Sequence, residues 1–465
     1  MIVIIGAGLA GLSAACHLAG RERIVLEREP EPGGLCRSRR VGEFTFDLTG
    51  HLLHLRDPEV IALVDRLLPG VFREIERAAA IRSSGRLVPY PFQANTYGLP
   101  PEVVCECVLG FWKTLGGGRR SAGAARGDSF RDWALATFGE GIARHFMFPY
   151  NEKLWRRDLR EITADWVSWS VPKPTFEEVL KGALGITNTG LGYNARFRYP
   201  KQGGIAVLPQ ALAAEAPDLR LGIEVVGVDA SARAVRLSSG GSIGYSALVS
   251  TAPLPWLLSR TTGLPDEVVA MARPLAWVDI HCLNLALARP GALGHHWIYF
   301  PEPEFPFYRV GSPTAFSDGV APPGTSSLYV EIACLPDETP DQPALVDGAL
   351  EGLCRAGILR DSDEILVRDV VRISPAYVVF DSARRAAIGP LLKRLRGYGI
   401  HAIGRYGSWT YSYMEEAIRD GMRVARLLSR GKEKPEPLAG ARKPGAGHRA
   451  GATRGARRMR AARRP

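Results

Sequence analysis

The sequence predicts an α/β protein built around a buried parallel β-sheet, and three features near its N-terminus carry that prediction. Residues 1–5 (MIVII) are a short, mostly β-branched run that ends at a glycine, as is typical of a fully buried strand. Residues 6–11 (GAGLAG) form a glycine-rich turn that leads into a predicted helix over about 9–19. Residues 23–27 (RIVLE) are typical of a second buried strand, so the four pieces make one βαβ unit.

Further helices are predicted from apolar periodicity and from capping residues. Over residues 58–68 apolar side chains recur at i, i+3, i+4 and i+7, and Asp57 is placed to cap the start. The other helices predicted in this way cover 101–115, a segment from Asp128 or Ser129 to about Phe138, parts of 141–190 with interruptions near Pro149 and Pro172, 343–358 and 413–429.

Strands are predicted mainly in the second half of the chain. The alternating pattern over 220–250 predicts strands with a hairpin turn at Gly240-Gly241. The runs WVDIHCLNLAL, HWIYF and SLYVEIACL within residues 275–335 are strand-like, and 401–405 is a strand that leads to a turn. Residues 85–99 are too rich in proline and aromatic side chains to form a helix.

Composition and charge limit the kind of protein this is. The chain has 465 residues, enough for two to three domains, and 46% of them are apolar, so a large core can form. The net charge of +11 is concentrated in residues 431–465, which hold eleven Lys or Arg and two Glu. The body is therefore nearly neutral, which argues against nucleic-acid binding. This basic tail is predicted to be disordered, and residues 116–127 to be a flexible surface insertion.

The cysteines and the N-terminal segment indicate a soluble, cytoplasmic protein. Seven cysteines without regular spacing do not form a disulfide framework and fit a reducing environment. Cys105 and Cys107 form an isolated CxC pair without further ligands nearby, so no metal site is expected. Residues 1–20 are apolar, but three glycines interrupt them and no basic segment precedes them, so we expect neither a signal peptide nor a membrane span.

The glycine turn matches the dinucleotide-binding fingerprint GxGxxG in its required context, between a strand and a helix, with Glu27 ending the next strand. In that fingerprint Gly6 permits the tight turn, Gly8 lets the backbone approach a pyrophosphate, and Gly11 allows close helix packing. The helix N-terminus attracts phosphates, and Glu27 can accept hydrogen bonds from a ribose. The pattern predicts a dinucleotide cofactor, and NAD and FAD both remain open at this point.

Two further segments decide between these cofactors. Residues 32–36 (PGGLC) place a glycine pair shortly after the acidic strand end, and residues 42–54 (GEFTFDLTGHLLH) contain a Gly-His loop. With the fingerprint, they resemble the FAD-dependent superfamily of amine oxidases, protoporphyrinogen oxidases and UDP-galactopyranose mutases. The resemblance implies FAD as cofactor, with His51 beside the isoalloxazine ring. The other cofactor-binding residues that it implies are Gly33, Gly34, Gly50 and Arg405.

Five longer stretches are similar to one branch of this superfamily, the UDP-galactopyranose mutases of eukaryotic type. The stretches are VPYPFQAN (88–95), FMFPYNEKLW (146–155), GYNARFRYPKQGG (192–204), HWIYFPEPEFPFYR (296–309) and GRYGSWTYSY (404–413). They follow the order and spacing of that branch, and the resemblance covers about residues 1–430.

The resemblance implies a Rossmann-like FAD-binding domain of the GR2 type, with an inserted helical domain and an antiparallel β-sheet substrate domain. The implied ranges are 1–85, 201–275 and 385–430 for the discontinuous FAD-binding domain, 100–190 for the helical lid domain, 86–99, 191–200 and 276–384 for the sheet domain, and 431–465 for the tail.

By the same resemblance, the protein would be a flavin-dependent mutase that interconverts the pyranose and furanose forms of a nucleotide sugar. The reaction would pass through a covalent intermediate between reduced FAD and the sugar. Such an isomerase would act on UDP-galactopyranose or its galactofuranose form, in cell-wall or polysaccharide biosynthesis. Its partners would be a nucleotide-diphosphate sugar and an unidentified reductant, and a homo-oligomer is compatible with the sequence.

The resemblance also assigns roles in the substrate site. Arg309, His51 and Asn194 are the catalytic candidates, with Arg309 at the diphosphate and the other two near the flavin and the sugar. A guanidinium suits phosphate oxygens because its donors form a planar fork. The implied substrate-binding residues are Tyr90, Phe92, Gln93, Phe146, Asn151 and Trp155 around the uridine, Trp297 at the sugar, and Tyr299, Tyr377 and Tyr411 at the diphosphate.

One position departs from the family pattern. The family has a second arginine on a mobile loop where this sequence places Ser170, and residues 161–195 contain no arginine. Lys173 and Lys181 are the nearest cations, and a lysine lacks the bidentate fork. The departure keeps open an FAD-dependent oxidase of the amine oxidase or protoporphyrinogen oxidase type. It also leaves room for a diverged mutase that acts on another nucleotide sugar, or for lost activity. A separate alternative is a non-enzymatic protein that retains FAD for stability.

Overall fold

Helices and strands alternate along the chain in a computed structural model that describes residues 1–18, 20–116, 129–167, 171–188, 190–192 and 195–430. The helices are α1 (Leu9–His17), α2 (Pro58–Leu67), α3 (Pro101–Gly116), α4 (Phe130–Ile142), α5 (Phe148–Trp155), α6 (Phe176–Ala183), α7 (Val207–Glu215), α8 (Leu254–Ser259), α9 (Asp266–Ala270), α10 (Gln342–Arg355), α11 (Ser382–Gly397), α12 (Gly404–Gly407) and α13 (Met414–Ser429).

Twenty strands lie within the described residues. They are β1 (Ile2–Ile5), β2 (Arg23–Leu26), β3 (Ser38–Val41), β4 (Phe44–Asp47), β5 (Phe72–Glu76), β6 (Ala79–Ser83), β7 (Arg86–Pro89), β8 (Arg196–Pro200), β9 (Leu219–Arg220), β10 (Val225–Asp229), β11 (Ala234–Leu237), β12 (Ser242–Gly244), β13 (Ala247–Ser250), β14 (Thr261–Thr262), β15 (Trp277–Leu287), β16 (Trp297–Tyr299), β17 (Arg309–Gly311), β18 (Ser326–Cys334), β19 (Ile365–Val378) and β20 (Ile400–Ala402). The predicted insertion beyond residue 116 and the tail 431–465 lie outside the described residues.

A five-stranded parallel sheet confirms the predicted α/β class and its N-terminal βαβ unit. The strand order is β20-β13-β1-β2-β9, and β1 is flanked on both sides by buried parallel neighbours. Strand β1 is apolar at every position because both of its faces are covered. Helix α1 packs against α13, where the Ser13 hydroxyl donates a 2.7 Å hydrogen bond to the Ile418 carbonyl.

A seven-stranded sheet forms the second large element, in the order β19-β15-β18-β17-β16-β6-β7. The predicted runs of residues 275–335 form β15, β16 and β18 in this sheet, whose pairs are antiparallel except for β16 with β6. The larger sheet is antiparallel apart from this one pair. Strand β6 lies within the range 1–85 implied for the FAD-binding domain, and it hydrogen-bonds to β16 of the larger sheet. The division into domains stays a prediction.

The helical part of the chain runs from α3 to α6. Ser129 caps α4 by accepting a hydrogen bond from the Asp132 amide at 3.1 Å, as predicted. The predicted break near Pro149 is wrong, because this proline lies in the first turn of α5, directly after a π-helical turn at Ala143–Met147. The interruption near Pro172 is confirmed, and Thr175 starts the next helix with a capping box.

A four-stranded sheet in the order β12-β11-β10-β14 contains the predicted hairpin, in which Gly240 has φ +90°. Helix α2 begins at the Asp57 cap, as the sequence predicts. Three long elements, β19, α11 and α7, were not anticipated. Among the described residues, no helix combines the length and the apolar character that crossing a bilayer requires.

Candidate active site

A cavity of about 770 Å³ extends from the glycine turn after β1 to α5 and β17. Its first end is lined by the predicted cofactor residues Gly6, Gly8, Glu27, Gly33, Gly34, Gly50, His51 and Arg405. Its second end is lined by the predicted substrate residues Tyr90, Gln93, Phe146, Asn151, Trp297, Tyr299, Arg309, Tyr377 and Tyr411. The structure therefore brings most of the predicted site together around one space.

The first end has the backbone cradle that a dinucleotide needs. Gly6 has φ +96°, and a Cβ there would lie 2.2 Å from the Thr251 hydroxyl. A Cβ on Gly34 would lie 3.3 Å from the Gly8 Cα, because two backbone segments meet at this point. Gly11 does not line the cavity, but a Cβ there would lie 2.0 Å from the Gly6 carbonyl oxygen. Side chains at these positions would push apart the segments that form the cradle.

Glu27 is held at the end of β2 by the backbone around the turn. Its carboxylate accepts hydrogen bonds from the Ala7 amide at 2.7 Å and from the Glu29 amide at 3.0 Å. These two bonds use part of the acceptor capacity of the carboxylate, which can accept further bonds from ribose hydroxyls. The cradle and this carboxylate together fit the adenosine diphosphate half of FAD.

Arg405 is a half-buried cation in the cavity wall without a carboxylate partner among the described residues. Its guanidinium donates hydrogen bonds to the Ser412 carbonyl at 2.7 Å and to the Ala376 carbonyl at 3.0 Å. It also lies over the rings of Tyr377 and Tyr411, at 5.4 Å and 4.8 Å from their centroids. This charge is therefore free to stabilise negative charge on a bound ring system.

His51 lies in the same wall and is half-buried, with its Nδ1 atom buried. Burial lowers the pKa of the imidazole to about 4, and the nearby Arg405 and Arg309 guanidinium groups act in the same direction. The backbone at Thr49 and the Glu331 carboxylate oppose this shift but do not reverse it. His51 is consequently neutral near pH 7.

Arg309 is the predicted diphosphate ligand, and the structure pairs it with a carboxylate that the sequence analysis missed. Its Nε and Nη2 donate to the two oxygens of Glu331 at 2.8 Å and 2.7 Å. Glu331 is fully buried, whereas the Arg309 side chain is 19% exposed toward the cavity. The ion pair neutralises much of the guanidinium charge and leaves Nη1 without a hydrogen bond to a described residue.

The second end of the cavity is aromatic and carries several phenol groups. Phe146 stacks between Phe92 and Tyr150, with ring centroids 5.2 Å and 5.5 Å away. Tyr299 contacts the rings of Tyr90 and Tyr150, both at 5.4 Å. Such a wall provides flat apolar faces together with hydroxyl donors, which suits a base attached to an anionic group.

Two predicted uridine-pocket residues do not reach the cavity. Phe92 is fully buried behind Phe146. Trp155 is 1% exposed and packs edge-on against Trp166 and Tyr377, so it supports the wall. Their rings pack in the core, and their implied roles as ligand contacts stay predictions.

The two lysines nearest in sequence to the missing arginine also lie elsewhere. The Lys173 ammonium sits over the Trp133 ring at 5.7 Å, and Lys181 pairs with Glu177 at 2.6 Å on the surface of α6. Neither lysine lines the cavity. Asn194 and Ser170 are outside the described residues, so their predicted roles stay predictions.

Sequence reasoning also missed Tyr150 and Tyr329, which line the cavity, and Lys153, which donates to three backbone carbonyls nearby. Tyr150 lies within the stretch 146–155, whose resemblance to the mutase branch was a signal that it belongs to the site. For Glu331, the signal was a lone acidic residue within an apolar strand, because a buried carboxylate needs a partner.

Comparison with known proteins gives one family for nearly the whole chain. The family described as flavin containing amine oxidoreductase matches residues 9–429. A zeta-carotene-forming phytoene desaturase of Myxococcus xanthus is 24% identical over 75% of this chain and 74% of its own length. A phytoene dehydrogenase of Streptomyces griseus is 26% identical over 72% of each chain.

A solved structure also matches the chain in three dimensions. The crystal structure of a reduced UDP-galactopyranose mutase has a TM-score of 0.87 and 27% sequence identity, and covers 93% of this chain and 94% of the other. The chain is thus similar both to two enzymes named for phytoene and to a UDP-galactopyranose mutase.

Proposed function

Because the chain belongs to the family of flavin-containing amine oxidoreductases and FAD is its cofactor, we propose that it is an FAD-dependent mutase of nucleotide sugars. The proposed reaction interconverts the pyranose and furanose forms of a UDP-sugar such as UDP-galactose. The observation that carries the proposal is the grouping of Arg309 with Tyr299, Tyr377 and Tyr411 around the second end of the cavity. Their N–H and O–H groups are suitable donors for diphosphate oxygens.

Base recognition is assigned to the amide and aromatic side chains beside α5. Gln93 donates from Nε2 to the Pro172 carbonyl at 2.7 Å, and its buried Oε1 has no partner among the described residues. A buried acceptor in a cavity wall can receive an N–H of a uracil base, and an unmet acceptor there costs free energy. The stacked Phe146 and Tyr150 rings supply the flat faces that such a base requires.

The chemistry that reduced FAD supplies in such a mutase is a nucleophilic ring nitrogen. Arg309 and the tyrosines bind the diphosphate and stabilise its charge as it leaves the sugar, and they keep it in place for return. Arg405 balances negative charge at the cofactor end. Because His51 is neutral, it can donate or accept a hydrogen bond at the cofactor end without adding a second positive charge.

The test is an anaerobic assay of the FAD-loaded protein with UDP-galactofuranose, before and after reduction with dithionite. We expect UDP-galactopyranose to form only with the reduced protein, and chromatography separates the two sugars. Conversion without reduction, or no conversion of any UDP-sugar by the reduced protein, would contradict the proposal. The oxidised protein is the matched control, since it differs only in the state of the cofactor.

A second candidate is an FAD-dependent oxidoreductase, supported by the neutralisation of Arg309 by Glu331 and by similarity to two phytoene-oxidising enzymes. The second end of the cavity argues against a long hydrocarbon substrate, because such a substrate would remove water from the tyrosine hydroxyls and from the Arg309–Glu331 pair without offering them hydrogen bonds. Oxygen or dye reduction by the protein with amines or with phytoene distinguishes this candidate. Substrate-dependent flavin reduction in that screen, with no sugar conversion, would favour it.

A further inference from the structure

Lys153 of α5 directs its ammonium group at one loop of the neighbouring sheet. It donates hydrogen bonds to the carbonyls of Phe300 at 2.8 Å, Glu302 at 2.5 Å and Phe307 at 3.3 Å. All three belong to the loop of residues 300–308, which connects β16 to β17. Three directed bonds from one cation to one loop hold that loop at a fixed distance from the helix.

The Glu302 carboxylate of this loop forms its hydrogen bonds with other partners than Lys153. Glu302 accepts hydrogen bonds from the Arg82 guanidinium at 3.3 Å and from the Gly85 amide at 3.1 Å. Lys153 makes no ion pair with a carboxylate of the described residues. Glu304 and Glu302 attract the ammonium from beyond ion-pair distance. A half-buried cation whose direct contacts are carbonyl groups costs more to bury than a paired one, so its place here calls for a positional explanation.

The loop ends are the two residues that face the diphosphate end of the cavity. Tyr299 and Arg309 are opposite each other in the β16–β17 pairing, and both line the cavity. On the other side, α5 presents Tyr150 and Asn151 to the same cavity. Lys153 is therefore the polar link between the wall assigned to the base and the hairpin assigned to the phosphates.

Aromatic contacts also join α5 to the hairpin, and they are less directional than hydrogen bonds. The Tyr150 ring meets Tyr299 edge-on at 5.4 Å and Tyr308 at 6.2 Å. Aromatic contacts of this kind tolerate sliding, whereas hydrogen bonds lose strength steeply when donor and acceptor shift. Lys153 thus supplies directed hydrogen bonds between α5 and the hairpin, beside these aromatic contacts.

We propose that Lys153 is a positioning residue that fixes the separation between the base-binding wall and the phosphate-binding hairpin, so that the cavity favours a nucleoside diphosphate over its separate parts. The inference rests on the proposed function, which names the two ends. Two subsites held at the correct spacing bind a joined ligand far more tightly than either fragment.

The experiment compares FAD-loaded Lys153→Met with Lys181→Met, whose ammonium is exposed and pairs with Glu177. Calorimetry measures the affinity of each protein for UDP, uridine and pyrophosphate. In Lys153→Met we expect UDP to bind at least tenfold more weakly, with both fragments changed less than twofold, and no change in Lys181→Met. An equal loss for all three ligands, or no loss, would overturn the proposal.

Hydrogen exchange separates failure of this inference from failure of the proposed function. In wild type, the Phe305 and Tyr308 amides bond within the loop and to Glu331. Faster exchange over residues 300–308 in Lys153→Met supports the positioning role, and unchanged exchange overturns it, whether or not UDP binds. FAD-bound wild type that binds no UDP would instead contradict the proposed function. If Lys153→Met loses FAD, Lys153→Arg replaces it, with an expected threefold loss for UDP alone.

Discussion

Arg309 and Glu331 face each other across the antiparallel strands β17 and β18 and share two hydrogen bonds of 2.7–2.8 Å. The pair is built from adjacent strands of one sheet, so its geometry is fixed before any ligand enters. Burying the carboxylate beside the guanidinium orients the cation and also reduces its net charge. This relationship decides how strongly the site can attract a diphosphate.

Replacing Glu331 with Gln should destabilise the fold, because the buried guanidinium loses its counter-charge. We expect the free energy of unfolding to fall by about 3 kcal/mol, as when one partner of a buried pair is removed. The matched control is Glu338→Gln, which breaks an exposed pair with Arg156 and should cost less than about 1 kcal/mol. Denaturant titration of both variants measures the difference, and equal losses would contradict the prediction.

Removing the Arg309 guanidinium should slow turnover strongly without loss of the cofactor. Arg309→Met alone leaves Glu331 charged and buried, so we pair it with Glu331→Gln to protect the fold. The double variant should retain FAD and convert UDP-galactofuranose about 100-fold more slowly than wild type. The reference is the single Glu331→Gln variant, and a double variant within tenfold of that reference would show that Arg309 does not act on the substrate.

Gly6→Ala should weaken FAD binding at least tenfold. The added Cβ would lie 2.2 Å from the Thr251 hydroxyl, which itself bonds to the Ile5 carbonyl. Gly20→Ala is the control, because Gly20 also has a positive φ but no atom within 4 Å of the added Cβ. Both variants bear about 1–2 kcal/mol of backbone strain. The difference between their FAD affinities therefore measures the effect of the added Cβ on the cradle. Flavin titration of the apoproteins gives the two affinities.

Stability should fall in acid through His51. Burial, aided by Arg405 and Arg309, lowers the folded-state pKa from 6.5 to about 4, so between these values the unfolded chain binds a proton that the folded chain does not. The free energy of unfolding therefore decreases as pH falls through this window, by up to about 1.4 kcal/mol per pH unit for this one group.

His51→Asn should reduce the slope of the unfolding free energy against pH by the contribution of about one proton. His54 and His296, whose pKa values burial also lowers to about 4, remain in both proteins and do not affect the comparison. Denaturant titrations from pH 4 to pH 7 measure the slopes of the two proteins. Parallel slopes would mean that His51 is not a buried neutral imidazole.

Ser170→Arg should raise kcat/KM for UDP-galactofuranose about tenfold or more, because a guanidinium adds a bidentate phosphate ligand. Ser170→Lys, which adds the charge without the fork, should give a smaller gain. Steady-state kinetics of the reduced proteins measure both. Unchanged values for both variants would show that position 170 does not limit the reaction.

Local signals predicted the elements whose sequence and environment agree. The N-terminal unit, the cap at Asp57 and the hairpin at Gly240 are of this kind. Helix α11 was missed because Pro390 stands inside it, yet tertiary packing of Leu391 and Leu395 keeps it helical. Strand β19 was missed because charged residues interrupt its apolar pattern on the exposed face.

In the candidate site, too, some features could be predicted from the sequence and others could not. Residue types suited to FAD and to a diphosphate were recognisable, and most of them line one cavity. The sequence did not reveal that Glu331 holds Arg309, since the pairing depends on which strands are neighbours. Nor did it separate the rings that face the cavity, such as Phe146, from those behind it, such as Trp155.

The strand order of the parallel sheet has a consequence for synthesis of the protein. Strand β13 lies between β1 and β20, and β20 spans Ile400–Ala402 near the end of the described chain. A chain still emerging from the ribosome therefore exposes an open β13 edge until residue 402 has been made. Because open edges recruit other strands, prematurely terminated chains should aggregate, and folding should be completed only after the last strand is released.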